Sequence, residues 1–223
     1  MKSKVVIIGA GISGTSIAYN LAAKGITDVI VVEKGYLTSG STGRCGAGVR
    51  QQWGTKANCI MARHSIEFFK NAKKTLDYDG DIEFKQEGYL ILAVTEEEDK
   101  NFSENVILQK SLGIPAVKCS KEDALKIVPH LNPDSFISAT FCQTDGHLNP
   151  FKMTDAFYQK AKKLGVTFLF GEEVLAIERK DNSFIIKTDK REIEAEKLVD
   201  AAGGYAHEVG NMLGIDIPVH SEK

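Results

Sequence analysis

Cysteine is scarce and poorly placed for chemistry: the four residues at 45, 59, 119 and 142 include no C-x-x-C pair. Zinc and thioredoxin-like sites therefore lack their signatures. With no secretory leader ahead of them, these cysteines read as reduced thiols of a cytoplasmic protein. Neither sign of charge dominates. The 28 Lys and Arg against 30 Asp and Glu give a net charge of -2 and a pI of about 6.2, without the basic stripe, or pI above about 9, of a nucleic-acid surface. Long apolar runs are missing too. The four residues Val5, Val6, Ile7 and Ile8 resemble a leader superficially, but they fall short of the ~7–15 a leader needs. No stretch approaches the ~18 apolar residues of a membrane span.

What remains is ordinary globular composition, 43% hydrophobic and 26% charged. A length of 223 residues predicts one or two domains at roughly 150 residues each. Such a chain buries about 70% of its unfolded surface and needs no disulfide or metal staple.

Residues 4–33 read as one unit. The β-branched run at 4–8 is expected of a strand covered on both faces. Residues 9–14 form a turn, 12–24 carry helical apolar spacing ended by Gly25, and 28–33 form a second apolar strand. Residues 36–54 form a long Gly/Ser/Thr-rich loop of a kind that is often functional. The pattern then predicts a helix over 55–76, a hairpin over 82–95 around Glu87-Gly88, and a helix opened by the acidic residues 96–99. A short helix over 121–128 and a strand over 135–142 follow. From Pro150 the first style returns, with a helix to Leu164, strands over 167–170, 174–179, 184–188 and 197–202, and a last helix to Leu213.

The turn reads Gly9-Ala10-Gly11-Ile12-Ser13-Gly14, a G-x-G-x-x-G between strand and helix, and Glu33 ends the second strand nineteen residues later. Gly9 permits the tight turn, Gly11 lets backbone approach a pyrophosphate, and Gly14 lets helix pack on strand. The helix N-terminus offers amides to the anion. A carboxylate at 33 suits ribose hydroxyls and repels a 2′-phosphate, which points to an adenine dinucleotide other than NADP. FAD and NAD share this fingerprint. The loop Ser39-Gly40-Ser41-Thr42-Gly43-Arg44-Cys45-Gly46-Ala47-Gly48-Val49-Arg50 offers hydroxyls, amides and two arginines as a second cradle for phosphates and a flat ring. The bland reading is a solvated loop.

The stretch VVIIGAGISGTSIAYNLAAKGITDVIVVEKGYLTSGSTGRCGAGVRQQ resembles the N-terminal half of the D-amino-acid oxidase-like flavoproteins. Within that family the pattern is similar to the beta subunits of sarcosine oxidase and of dye-linked proline dehydrogenase. Three further segments fit: DGHLNPFKMTDAF, GEEVLAIE and LVDAAGGYAHEVGNMLGIDIP. The likeness is strong over 1–54 and 145–218 and loose over 55–144.

The resemblance implies an α/β chain: a Rossmann-like FAD-binding domain with a parallel sheet over 1–84 and 142–223, and part of a mixed-sheet α+β substrate domain over 85–141. It implies that Gly9, Gly11 and Gly14 hold the FAD pyrophosphate and that Glu33 and Lys34 face the adenosine ribose. Ser41, Thr42 and Arg44 would lie along the pyrophosphate, with Gly46, Ala47 and Gly48 near the isoalloxazine. Val174 would meet the adenine through its backbone, and Ala201, Ala202 and Gly203 would pass close to the dinucleotide. For Val174 and the Ala-Ala-Gly segment the bland reading is strand core. Members of the family continue well beyond this length, so the C-terminal half of their fold is expected to be absent. The polar ending at 218–223 suggests a truncated product, an excised fragment, or half of a split enzyme completed by another chain or by self-association. At the place where sarcosine oxidase beta subunits carry a histidine for covalent FMN stands Pro150, and Cys45 reads as a small buried or half-buried thiol; non-covalent FAD is expected. His64 and His130 read as structural.

Three functions compete. The first is FAD-dependent oxidation of a small secondary amine or amino acid, by hydride transfer to flavin N5, with Arg50 and Gln51 as weak candidates on the substrate side and the electron acceptor open. The second is a non-catalytic FAD-binding subunit or fragment. The third is an NAD-dependent dehydrogenase, which Glu33 permits and the Gly/Ser/Thr loop over 38–54 argues against.

Overall fold

A computed structural model describes residues 1–219. In chain order its elements are β1 (Lys2–Ile8), α1 (Ile12–Ala23), β2 (Val29–Glu33), β3 (Gly48–Val49), α2 (Lys56–Leu76), β4 (Tyr89–Ala93), α3 (Glu96–Ser111), β5 (Ala116–Cys119) and α4 (Lys121–Ile127). They continue with β6 (Ser138–Cys142), β7 (Gly146–His147), α5 (Pro150–Lys163), β8 (Thr167–Phe170), β9 (Val174–Lys180), β10 (Ser183–Thr188), β11 (Glu192–Asp200) and α6 (Ala206–Asn211). The chain divides into two units. One holds Met1–Gly46, Leu76–Ile82 and the chain from Asn149 onward; the other holds Ala47–Thr75 and Glu83–Leu148. The division differs from the expected 1–84, 142–223 and 85–141 chiefly in grouping residues 47–75 and 142–148 with the smaller unit. The polar ending beyond residue 219 lies outside the described residues.

The first unit is built on a six-stranded sheet in the order β8-β2-β1-β11-β10-β9. The four strands β8, β2, β1 and β11 run parallel, and β10 and β9 add an antiparallel edge. Successive side chains of a strand point to opposite faces. Val6, Ile8, Ile30 and Val32 accordingly join Ile177, Ile186 and Ile193 in one buried cluster, while Val5, Ile7, Val29 and Val31 are buried as well. Covering on both faces explains the unbroken β-branched runs of β1 and β2. Helices α1 and α5 pack together, with Tyr19 and Phe157 rings 5.6 Å apart. Asn149 caps α5 by accepting the Phe151 and Lys152 amides, and Pro150 opens it where no N–H is required.

The last strand of the parallel set begins at Glu192, five residues before the expected start. Ile193 and Ala195 are buried while Glu192, Glu196 and Lys197 stay outside, a one-face-buried alternation that charged residues conceal in the sequence. The final helix is short, a 3-10 turn at Gly203–Tyr205 leading into α6.

In the second unit, β4, β6 and β5 form an antiparallel sheet in that order. The expected hairpin over 82–95 is corrected here. Tyr89–Ala93 is a strand, but its partner is β6, while residue 85 makes only an isolated bridge to His147 and the Gly88 amide donates to the Asp145 carbonyl. Glu87-Gly88 is therefore a bend between two different partners. Helix α3 forms as its sequence dictates: the Thr95 side chain accepts the Glu98 amide and the Glu98 carboxylate accepts the Thr95 amide, a reciprocal cap.

Candidate cofactor site

In the first unit the parallel strands depart in both directions from β1: β2 and β8 lie to one side and β11 to the other. Open α/β sheets bind ligands beyond the carboxyl ends of the strands where the order reverses. The glycine turn leaves β1 at that point, and Ala201–Gly203 leave β11 beside it.

The turn is shaped by close backbone contact. Gly9 has φ +105°, which L side chains rarely adopt, and a Cβ there would lie 2.5 Å from the Ala201 carbonyl oxygen. A Cβ on Gly14 would lie 1.9 Å from the Gly9 carbonyl oxygen, so helix α1 can sit against the turn only without one. A Cβ on Gly11 would meet only the Thr42 hydroxyl, at 3.1 Å. Gly11 provides no side chain to cap α1, and the Ile12 amide donates to Thr42 Oγ1 at 3.1 Å.

Glu33 fastens the second strand to this turn. Its Oε2 accepts the Ala10 amide at 2.8 Å, and its Oε1 accepts the Gly35 amide at 2.8 Å and the Ser39 hydroxyl at 3.2 Å. Across β1, the Ala201 amide donates to the Ile8 carbonyl at 2.9 Å and the Ala202 amide to Asp200 Oδ1 at 3.0 Å. The other Asp200 oxygen is buried without a hydrogen-bond partner. Burial raises the Asp200 carboxyl above its ordinary range, against the opposing pull of the Ala202 amide.

The expected residues thus fall into three groups. Gly9, Gly11, Gly14, Glu33, Thr42, Ala201, Ala202 and Gly203 converge on the ends of β1 and β11. Ser41, Arg44 and Gly46 belong to the same unit and are exposed, and Lys34 places its ammonium over the Tyr205 ring at 3.5 Å. Val174 opens β9 with its side chain in the sheet's core. Cys45 is exposed, and its thiol donates to the Thr42 carbonyl at 3.2 Å.

Ala47, Gly48, Arg50 and Gln51 belong to the second unit. Ala47 has φ +61°, and a Cβ on Gly48 would lie 2.7 Å from the Tyr89 ring. The Arg50 guanidinium stacks over Trp53 at 4.5 Å, and the Trp53 indole donates to the Arg50 carbonyl. Behind them Asp145, 0% exposed, accepts the Gln51 amide at 2.9 Å, Gln51 Nε2 at 3.1 Å and Gln52 Nε2 at 3.0 Å. Burial raises its carboxyl, with the glutamine donors opposing. Sequence reasoning gave no role to Asp145, Asp200 or Tyr205. Asp145 stands at the start of the DGHLNPF segment, its one sequence signal.

A reversal of strand order, a glycine turn that opens a helix and a carboxylate on the neighbouring strand define a dinucleotide-binding α/β protein. The residues fit FAD: only the Thr42 hydroxyl approaches the Gly11 position, α1 begins at the end of β1, and one buried Asp200 oxygen has no hydrogen-bond partner. The chain belongs to the DAO family of FAD-dependent oxidoreductases, whose pattern matches residues 4–223. It is 30% identical over 220 residues to mitochondrial dimethylglycine dehydrogenase of Rattus norvegicus, a match covering 98% of this chain and 25% of that protein. It is 29% identical over 225 residues to sarcosine oxidase subunit beta of Arthrobacter sp, covering 97% and 55% respectively. The solved L-proline dehydrogenase of P. horikoshii superposes with a TM-score of 0.85 at 38% identity, over 96% of this chain and 56% of that one. The chain spans a quarter to about half the length of these relatives. Among the described residues no helix is long and apolar enough to cross a membrane.

Proposed function

We propose that this chain is the FAD-holding portion of an oxidoreductase acting on the C–N bond of a small secondary amine or amino acid. The observation that carries the reading is the crevice at the end of β1, in a chain 38% identical to an L-proline dehydrogenase. Bound FAD supplies the flavin N5 that takes a hydride from the carbon beside nitrogen. The chain's own residues bind and orient. Amides of the Gly9–Gly14 turn receive the pyrophosphate, Glu33 receives the ribose hydroxyls, and Thr42 and Arg44 flank the phosphates. Arg50 serves the substrate side, where a guanidinium attracts a carboxylate, while the expected Gln51, buried with its amide on Asp145 and Thr144, anchors that turn instead. Binding is non-covalent, and four free thiols suit a cytoplasmic setting. The test is the visible spectrum of the purified chain with FAD, followed anaerobically with proline or sarcosine. Bleaching of bound flavin supports the reading, and an intact chain that takes up no flavin sinks it.

A second reading is a binding subunit that turns over only with a complementing chain. It is favoured by the relative from Arthrobacter sp, which is itself named a subunit. Its signature is bound flavin that no amine bleaches until a partner chain is added.

A further inference from the structure

Lys34 and Tyr205 come from opposite banks of the cofactor crevice. Lys34 follows β2, Tyr205 lies in the turn after β11, and β1 runs between those two strands. Neighbouring strands lie about 4.8 Å apart, so β2 and β11 leave the sheet about 10 Å apart. The two side chains can meet only across the end of β1, where the glycine turn begins. They do meet: the Lys34 ammonium stands 3.5 Å from the centre of the Tyr205 ring, well inside the ~6 Å of a cation–π contact. Neither residue fills the core. Tyr205 is 48% exposed and Lys34 is exposed too.

We propose that Lys34 and Tyr205 form a clasp that closes over the dinucleotide and holds it in the crevice. This rests on the FAD reading and adds Tyr205 to the binding site. Beside the adenosine ribose, the ammonium would complement the negative charge of the neighbouring pyrophosphate, and the ring would shield that charge from water, where electrostatic attraction is weaker. The cofactor leaves only when the contact opens, so the clasp acts on its release. Joined in one contact, the two residues contribute as a pair, and removing either removes both contributions.

The test is the rate of FAD release from the purified 223-residue chain, followed by recovery of free flavin fluorescence after dilution far below the Kd. Tyr205→Ala and Lys34→Met are each expected to speed release about threefold, the scale of one exposed cation–π contact. The double variant is expected to release no faster than either single one. Tyr205→Phe, which keeps the ring, is expected to release at the wild-type rate. Both positions being exposed, thermal unfolding of the apoprotein is expected to stay within a few degrees of wild type. Unchanged release in the two single variants would overturn the clasp alone. Multiplying effects in the double variant would also overturn it, because the residues would then act separately. A wild-type chain that retains no FAD would overturn the clasp together with the reading beneath it.

Discussion

Glu33 and Ala10 join the end of β2 to the glycine turn: the Ala10 amide donates to Glu33 Oε2 at 2.8 Å. With the Gly35 amide and Ser39 hydroxyl on the other oxygen, the carboxylate is fixed before any ribose arrives. Such preorganisation lowers the cost of binding.

Glutamine at position 33 cannot accept on both sides, so one of the Ala10 and Gly35 amides would face an NH2 group. Glu33→Gln is expected to raise the Kd for FAD at least about tenfold, or about 1.4 kcal/mol. Quenching of flavin fluorescence at pH 7 measures it, and an unchanged Kd would separate this carboxylate from the cofactor.

Gly14→Ala places a methyl 1.9 Å from a backbone oxygen that cannot swing aside. Helix α1 must then move off the turn. The expected cost is about 3 kcal/mol of stability, seen in urea unfolding, together with loss of FAD uptake from micromolar solution. Wild-type behaviour in both would show that the helix does not depend on that contact.

Asp200 gives a pH signature. Burial raises its carboxyl in the folded chain, so the folded state holds this proton more tightly than the unfolded state does. The associated stability is fully present below the unfolded value of about 3.9 and is lost as pH rises through the folded value. Asp200→Asn retains an acceptor for the Ala202 amide and removes the buried charge. The apoprotein variant is expected to be about 1 kcal/mol more stable than wild type at pH 7, with the difference shrinking toward pH 4. Denaturant curves at the two pH values decide it; a wild type more stable than the variant at pH 7 contradicts the sign.

Asp145 supports the Arg50–Trp53 turn from beneath. Asp145→Ala leaves three donors on Gln51 and Gln52 without their acceptor. About 3 kcal/mol of destabilisation is expected, typical of breaking a buried polar network. A loss below about 0.5 kcal/mol, measured by thermal or urea unfolding, would mean that water takes over the three bonds.

Much of the first unit was legible in the chain. The glycine spacing, the two β-branched runs and Glu33 specify a local strand–helix–strand unit, and local signals are what periodicity reports. Glu87-Gly88 misled because it has turn chemistry but not a hairpin partner. Tyr89–Ala93 pairs instead with Ser138–Cys142, a distant match that no local pattern encodes. The start of β11 was hidden by Glu192, Glu194 and Glu196, whose charges alternate with Ile193 and Ala195 along a strand. Asp145, Asp200 and Tyr205 acquire meaning only from neighbours far along the chain. A buried aspartate and a surface one look alike in sequence.

The pairing of β1 with β11 also sets an order of events during synthesis. The Met1 ammonium donates to the Glu192 carbonyl, 191 positions away, and Ile8 lies opposite Asp200. One flank of the central strand therefore emerges from the ribosome apolar and unpaired, and most of the described chain must follow before its neighbour exists. Contacts of such high sequence separation form slowly, and an open strand edge invites pairing with other chains meanwhile. The β1 bank of the crevice is translated well before the β11 bank that completes it, so cofactor capture waits on the later strand.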